Sequence, residues 1–275
     1  METIWRLIDS GRCGAAFNMA LDEALAASVR RGASPPLIRL YGWEKPSVTL
    51  GRFQRTRDVD VGYCRAEGIP VVRRPTGGRA VLHDDELTYS LSARTDGHPF
   101  SKGLLDSYRS ISDAVTRALS SIGLQTDEWR RREKGSVLSG SPLCFQSTSY
   151  GEIKVAGRKV IGAAQRRWSD GLLQQGSIPF RHNGELLKRI CRVRGEDLRQ
   201  CMTGVRDAMP GLGEDLLKGA LIAAFEDRFG VRLVMSDPSP QEAALARELL
   251  ELKYLQASWN LEFPSRCYAR GGGSV

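Results

Sequence analysis

Histidine is scarce in this 275-residue chain: only His83, His98 and His182 occur, none at a zinc-ligand spacing from cysteine or carboxylate, so no metal site is expected. The six cysteines, Cys13, Cys64, Cys144, Cys191, Cys201 and Cys267, include no Cys-x-x-Cys pair, and so long a chain needs no disulfide staples; a reducing compartment fits them. No apolar run approaches the roughly 18 residues of a membrane helix. The opening Met1-Glu2-Thr3-Ile4-Trp5-Arg6 has neither a basic leader nor an apolar stretch after it, and the expectation is a cytoplasmic protein with no membrane anchor. No Gly-x-Gly-x-x-Gly follows a strand, and the glycines from Gly157 to Gly162 are not followed by the Lys-Ser/Thr of a phosphate-binding loop, which excludes nucleotide binding by those routes. Internal repeats and long Pro/Gly/Ser linkers are also missing.

What remains is the composition of a folded globular chain, 41% hydrophobic and 26% charged. Forty Lys+Arg against 32 Asp+Glu give +8, a field that attracts acidic partners. The densest basic run, Arg130-Arg131-Arg132-Glu133-Lys134, has only Trp129 beside it, without the interleaved aromatics that stack bases. It reads as a solvated loop or a docking patch for an acidic protein, not as a nucleic-acid surface.

Periodicity predicts a helix over 15–30, where Met19, Ala20, Ala24 and Leu25 recur at helical spacing and Gly32 with Pro35-Pro36 ends it. Leu37 to Tyr41 and Ser47 to Gly51, separated by Lys45-Pro46, read as a strand pair. Further strands are expected at 70–73, 87–93, 145–155, 159–168 and 172–178, the last two turning at Asp170-Gly171. Leu105, Tyr108, Ile111, Val115, Leu119 and Ile122 trace one face of a helix over 104–122, with Gly123 placed to cap it. Later come a helix over 213–229, a strand over 231–235 and a helix opened by the Ser239-Pro240-Gln241-Glu242 capping box and reaching about residue 256. Without regular βαβ alternation, the fold class is α+β: a mixed, largely antiparallel sheet flanked by helices. A helical segment from Asn183 opens a C-terminal extension (183–275) packed on a core of residues 1–182.

Two segments can carry chemistry. In Arg73-Arg74-Pro75-Thr76-Gly77-Gly78-Arg79-Ala80-Val81-Leu82-His83 the paired glycines allow close approach of a ligand and the flanking arginines can hold an anionic group; a plain inter-strand turn would also satisfy the spacing. The second is Ser141-Pro142-Leu143-Cys144-Phe145, followed by Gly157-Arg158-Lys159-Val160-Ile161-Gly162-Ala163-Ala164-Gln165. A hairpin turning at Ala156-Gly157 would set Lys159 near Lys154 and leave Cys144 toward the far end.

These segments, in this order and separation, resemble the lipoate and biotin protein ligase and octanoyltransferase family, with a looser likeness through Lys253-Tyr254 and Trp259-Asn260. The resemblance implies a biotin/lipoate ligase-like catalytic domain. Ser141 to Phe145 is most similar to the acylation segment of the cysteine-dependent octanoyl-[acyl carrier protein]:protein N-octanoyltransferases. By that likeness Cys144 would attack the thioester of octanoyl-acyl carrier protein, Lys159 would assist, and the octanoyl group would pass to a lysine of a lipoyl domain or glycine cleavage H protein. No cofactor and no ATP would be needed. Arg74, Thr76, Gly77, Gly78, Arg79, His83 and Gly162 would bind the acyl and pantetheine chain, in a protein expected to be monomeric. Arg166 and Arg167 join the 130–134 run as candidate docking residues.

Two relatives of that reaction stay open. One is an ATP-dependent lipoate-protein ligase, whose pattern has glycine where Arg79 stands and Gly-Asn where Glu86-Leu87 stands; the other is an amidotransferase between lipoylated proteins. From another class, charge alone would allow a nucleic-acid-binding protein indifferent to Cys144→Ala.

Overall fold

The computed structural model describes residues 3–127, 153–192 and 200–262. Its main sheet is assembled from β1 (Thr3–Cys13), β2 (Leu37–Trp43), β6 (Glu86–Arg94), β7 (Ile153–Val155), β8 (Arg158–Arg167), β9 (Gly171–Pro179) and β10 (Val231–Met235), in the order β10-β1-β2-β6-β9-β8-β7. The β10–β1 and β1–β2 pairs are parallel and the other four antiparallel, the mixed, largely antiparallel sheet that the sequence predicts. A second, three-stranded sheet contains β3 (Ser47–Leu50), β4 (Val71–Arg73) and β5 (Val81–His83), with β3 in the middle.

The predicted pairing of the strands at 37 and 47 is therefore corrected. After Trp43 the chain leaves the large sheet, and β3 finds its partners further along the sequence: Val48 with Val71 in parallel and Leu82 in antiparallel register. Strand β1 was not predicted from the sequence; both its neighbours are parallel and distant, so no local turn announces it.

Helix periodicity was the better guide. Helix α1 (Ala15–Arg30) has its predicted bounds; α2 (Val61–Ala66), α3 (Leu104–Ser121), α4 (Gly184–Cys191), α5 (Val205–Ala208) and α6 (Glu214–Phe229) follow. Gly123 and Gly230 have φ of +90° and +62°, the left-handed backbone that glycine takes without a Cβ penalty at helix ends. Helix α7 (Pro240–Leu249) opens with the expected capping box but stops short of residue 256. Wider π-turns take over at Leu250–Tyr254, and they bring Lys253 and Tyr254 onto the same Glu23 carboxylate.

Alternation assigns the two faces of the main sheet. Ile38, Leu40, Leu87, Tyr89, Leu91 and Ala93 point to a hydrocarbon core closed by α3 and α6. The opposite face lies under α1, with α7 packed on α1, and there the inward residues of β6 are Glu86, Thr88, Ser90 and Ser92, each no more than 2% exposed. This buried polar face positions the site.

Candidate active site

A pocket of about 370 Å³, counting its open mouth, lies between α1, the small sheet and the polar face of the large one. Its walls are Met19 of α1, Tyr41 and Trp43 of β2, Thr49, Arg74, Val81 and His83 around the small sheet, Thr88 of β6, Gly162 to Ala164 of β8, and Gln175 to Ser177 of β9. Half of these side chains are polar, but the surface they present to the cavity is mostly apolar atoms, which suits a flexible acyl chain. Gly176 is needed there: a Cβ on it would lie 2.2 Å from the Tyr89 ring.

Two hydrogen-bonded networks hold the polar wall. In the first, Asp22 receives Arg39 Nη1 (2.9 Å), Tyr41 Oη (2.9 Å), Ser90 Oγ (2.8 Å) and Gln175 Nε2 (2.7 Å). Asp22 and Arg39 are wholly buried, so this carboxylate requires its full donor set. Burial, followed by the Asp22 charge, raises Tyr41 well above its ordinary value and keeps its hydroxyl a donor. Gln175 passes the constraint outward, accepting from Thr76 Oγ1 at 2.7 Å, so a buried ion pair fixes the Thr76-Gly77-Gly78 loop.

The second network centres on Glu86. Its Oε1 receives His83 Nδ1 (2.8 Å), Trp43 Nε1 (3.1 Å) and the Thr88 hydroxyl, and its Oε2 receives Ser177 Oγ (2.8 Å). Burial pushes this carboxyl upward, but the electrostatic pull of His83 and bonds from His83, Thr88 and Ser177 outweigh it and hold it below its ordinary value. Glu86 thus stays an acceptor, which makes His83 Nδ1 the donor; His83 Nε2 lies 2.8 Å from Thr49 Oγ1.

The arginines beside the glycines hold the loop. Arg74 donates to the carbonyls of Gly77 (2.7 Å), Arg79 (2.8 Å) and Thr49 (3.2 Å), while Arg73 donates to those of Gly51 (2.8 Å), Gln54 (2.7 Å) and Asn260 (3.1 Å). Burial, then the Arg74 charge, lowers Arg73 to about 10, so it remains cationic at neutral pH. Gly51 supports the same loop, since a Cβ there would fall 1.8 Å from Gly78 O.

Of the residues named from sequence, Arg74, His83 and Gly162 line the pocket. Thr76 is buried behind it on Gln175, Gly77 and Arg79 are half-buried, and Gly78 is exposed with φ +86°. The Ala156-Gly157 turn pairs Lys154 with Lys159 as predicted, and the ladder then skips Val160 to pair Ile153 with Ile161. That bulge bends β8 immediately beside Lys159, which is 2% exposed and whose N–H donates to Cys201 O (2.8 Å). Cys144, most of the strand predicted over 145–155, and the 130–134 basic run lie outside the described residues. Arg167 is tied to Phe100 O (2.7 Å) and Arg166 packs on Trp168, so neither is a simple surface charge.

Sequence reasoning missed Asp22, Arg39, Thr49, Glu86 and Gln175. Only Glu86 left a signal, as a departure from the ligase pattern. Among the described cysteines, burial raises Cys64 to about 11 and Cys191 to about 12, so neither supplies a thiolate at neutral pH. Also among the described residues, no group of three His, Cys, Asp or Glu side chains could hold a metal ion, and no helix is long and apolar enough to cross a membrane.

The lipoyl protein ligase A/B catalytic domain family matches residues 14–231. Octanoyltransferase LipM of Kyrpidia tusciae is 37% identical over 274 residues, 94% of this chain and 99% of its own. Octanoyltransferase LipM of Carboxydothermus hydrogenoformans is also 37% identical, over 96% of this chain and 100% of its own. A crystal structure of lipoate-protein ligase A bound with ATP is 25% identical, with a TM-score of 0.79 over 94% of this chain and 98% of that one.

Proposed function

Because the chain belongs to the lipoyl protein ligase A/B catalytic domain family, we propose that it is an acyltransferase that moves octanoyl groups in protein lipoylation. The observation that carries this reading is kinship over nearly the full length with octanoyltransferases, joined to a narrow pocket walled mostly by apolar atoms. The donor is octanoyl-acyl carrier protein, and the acceptor is a lysine of a lipoyl domain or of the glycine cleavage H protein.

The reaction runs in two acyl exchanges. The Cys144 thiolate attacks the donor's thioester carbonyl; an S–C bond to Cys144 forms, the carrier's sulfur leaves and takes up a proton, and one thioester replaces another. The acceptor amine then attacks the octanoyl-enzyme, forming a C–N bond and expelling Cys144. The amide is the more stable product, so no ATP is consumed. Lys159, from the bulged hairpin, is assigned to relay the protons: as an ammonium it lowers the Cys144 pKa and gives a proton to the departing carrier sulfur, and the neutral amine left behind takes the proton that the attacking acceptor amine releases.

The pocket's share is to hold the acyl chain. Arg74 and the Gln175–Thr76 bond keep the glycine loop over it, and the Glu86 network keeps the His83 ring flat in its wall.

The ligase likeness supplies the competing reading, since one structural neighbour is bound with ATP. Transfer to a purified lipoyl domain, followed with octanoyl-acyl carrier protein alone and with free octanoate plus ATP, separates the two. The proposal requires product in the first mixture; product only in the second overturns it.

A further inference from the structure

We propose that Phe53, Arg55 and Arg57 form a docking platform for the acceptor, an acidic folded domain that offers its target lysine on an exposed turn. This rests on the transfer reading above and adds the surface on which the second substrate is held.

The platform begins where the pocket ends. Thr49 of β3 lines the pocket, and two residues on, Gly51 packs so closely on the glycine loop that a Cβ would fall 1.8 Å from Gly78 O. The Arg52 N–H donates to Thr76 O of that loop at 2.8 Å. Phe53, Arg55 and Arg57 come next, and all three are exposed.

The segment that presents them is rigidly held. Arg73, wholly buried, donates to the carbonyls of Gly51 (2.8 Å) and Gln54 (2.7 Å) and to the Thr56 hydroxyl (3.3 Å). Gln54 closes the turn from inside, accepting from the Gly51 N–H at 3.3 Å and donating to Asp58 at 3.4 Å, while the Thr56 hydroxyl donates to Leu261 O at 2.5 Å. A buried guanidinium is costly unless its donors are satisfied, and Arg73 satisfies them on one surface segment, which is thereby preorganised.

Phe53 is 64% exposed, the one aromatic among the large exposed hydrophobic side chains of the described residues. Arg52 steadies it, with its guanidinium 5.5 Å from the Phe53 ring centroid and 5.4 Å from that of Trp259. An aromatic anchor flanked by arginines is the composition of a protein interface. Arg55 and Arg57 make no side-chain hydrogen bond or ion pair with any described residue, so in a chain of net charge +8 they are left to the carboxylates of a partner.

Reach decides between the two protein substrates. The donor's acyl group travels on a long flexible arm, so its carrier can stand away from the pocket. The acceptor has only a lysine, whose amine lies about 6 Å from its Cα, so the acceptor's own surface must rest against the pocket's rim. A platform that starts at the glycine loop meets that requirement.

The test is binding of a purified, unmodified lipoyl domain, read by NMR titration, to the wild type, to Phe53→Ala and to the Arg55→Gln/Arg57→Gln double variant. Octanoyl-enzyme formation from octanoyl-acyl carrier protein and steady-state transfer are measured in parallel. Phe53→Ala should raise the Kd and the acceptor KM about tenfold, the scale of one interface anchor. The double variant should raise both about fivefold at low salt, a difference that shrinks toward 0.5 M salt as about one Debye length closes over the charges. Acylation of the enzyme and kcat at saturating acceptor should stay unchanged. A wild type that does not bind the domain, or variants that bind it as the wild type does, overturn the platform. Variants that slow acylation by the carrier and spare the acceptor also overturn it, in favour of the donor. Binding is read without turnover, so binding that depends on Phe53 and the arginines in a protein that transfers nothing upholds the platform and counts against the transfer reading.

Discussion

The Trp43 indole lies flat on the His83 imidazole, ring centroids 3.9 Å and planes 16° apart, and both rings donate to the same oxygen of Glu86. Stacking and bonding together leave the imidazole one orientation, with Nε2 on Thr49.

The two nitrogens of His83 can be tested separately. Asparagine places its amide near Nδ1 and preserves the bond to Glu86; glutamine reaches toward Thr49 and abandons Glu86. His83→Gln should therefore be the less stable variant, by about 1 to 3 kcal/mol, because it removes a donor from a buried carboxylate. Urea denaturation of the two variants measures the difference.

Glu86 should shape the acid limb of stability. Its folded value lies below the ordinary 4.5, so the unfolded chain binds its proton first on acidification. The contribution is complete above about pH 4.5 and is lost as pH falls through the lower folded value. Urea midpoints between pH 3 and 7 should thus fall less steeply for Glu86→Gln than for the wild type. Glu86→Ala should cost about 3 to 5 kcal/mol, since His83, Thr88 and Ser177 lose their acceptor and Trp43 keeps only Thr88.

Thr76→Val keeps the volume of a buried side chain but removes its bond to Gln175. The cost to stability should be about 1 kcal/mol or a little more, with a rise in KM for the acyl donor exceeding any fall in kcat. A fall in kcat with KM unchanged would place Thr76 in the chemical step instead.

Ala164 faces the pocket, and leucine there adds three carbons to its wall. Ala164→Leu should lower kcat/KM for an octanoyl donor at least about tenfold while sparing a butanoyl donor, since each displaced methylene is worth about 0.8 kcal/mol. Competition between the two donors in one reaction reads the change directly.

Much of this was legible where local rules decide. The α1 bounds follow from helical spacing and the Gly32 to Pro36 break, and the β7–β8 turn from Ala156-Gly157. The glycine loop was marked by its own residues, whereas the lining role of His83 followed only from the family resemblance. The pocket's polar wall was not legible, because Glu86, Thr88 and Ser90 alternate with leucine and tyrosine as the outer face of a half-exposed strand would. Only the cover provided by α1 makes that face interior, and only then do Asp22 and Arg39 become partners across 17 positions. The exchange of strands between the two sheets escaped for the same reason, since Val48 takes both its partners from beyond residue 70.

The central claim, covalent transfer through Cys144, is most directly tested by intact-protein mass spectrometry after mixing the chain with octanoyl-acyl carrier protein in the absence of ATP. Cys144→Ser and Lys159→Ala are run alongside. The account predicts one octanoyl adduct on the wild type, released by hydroxylamine as a thioester and absent from Cys144→Ser. An adduct that persists in Cys144→Ser, or a wild-type protein that stays unmodified while transferring octanoyl to a lipoyl domain, would contradict it.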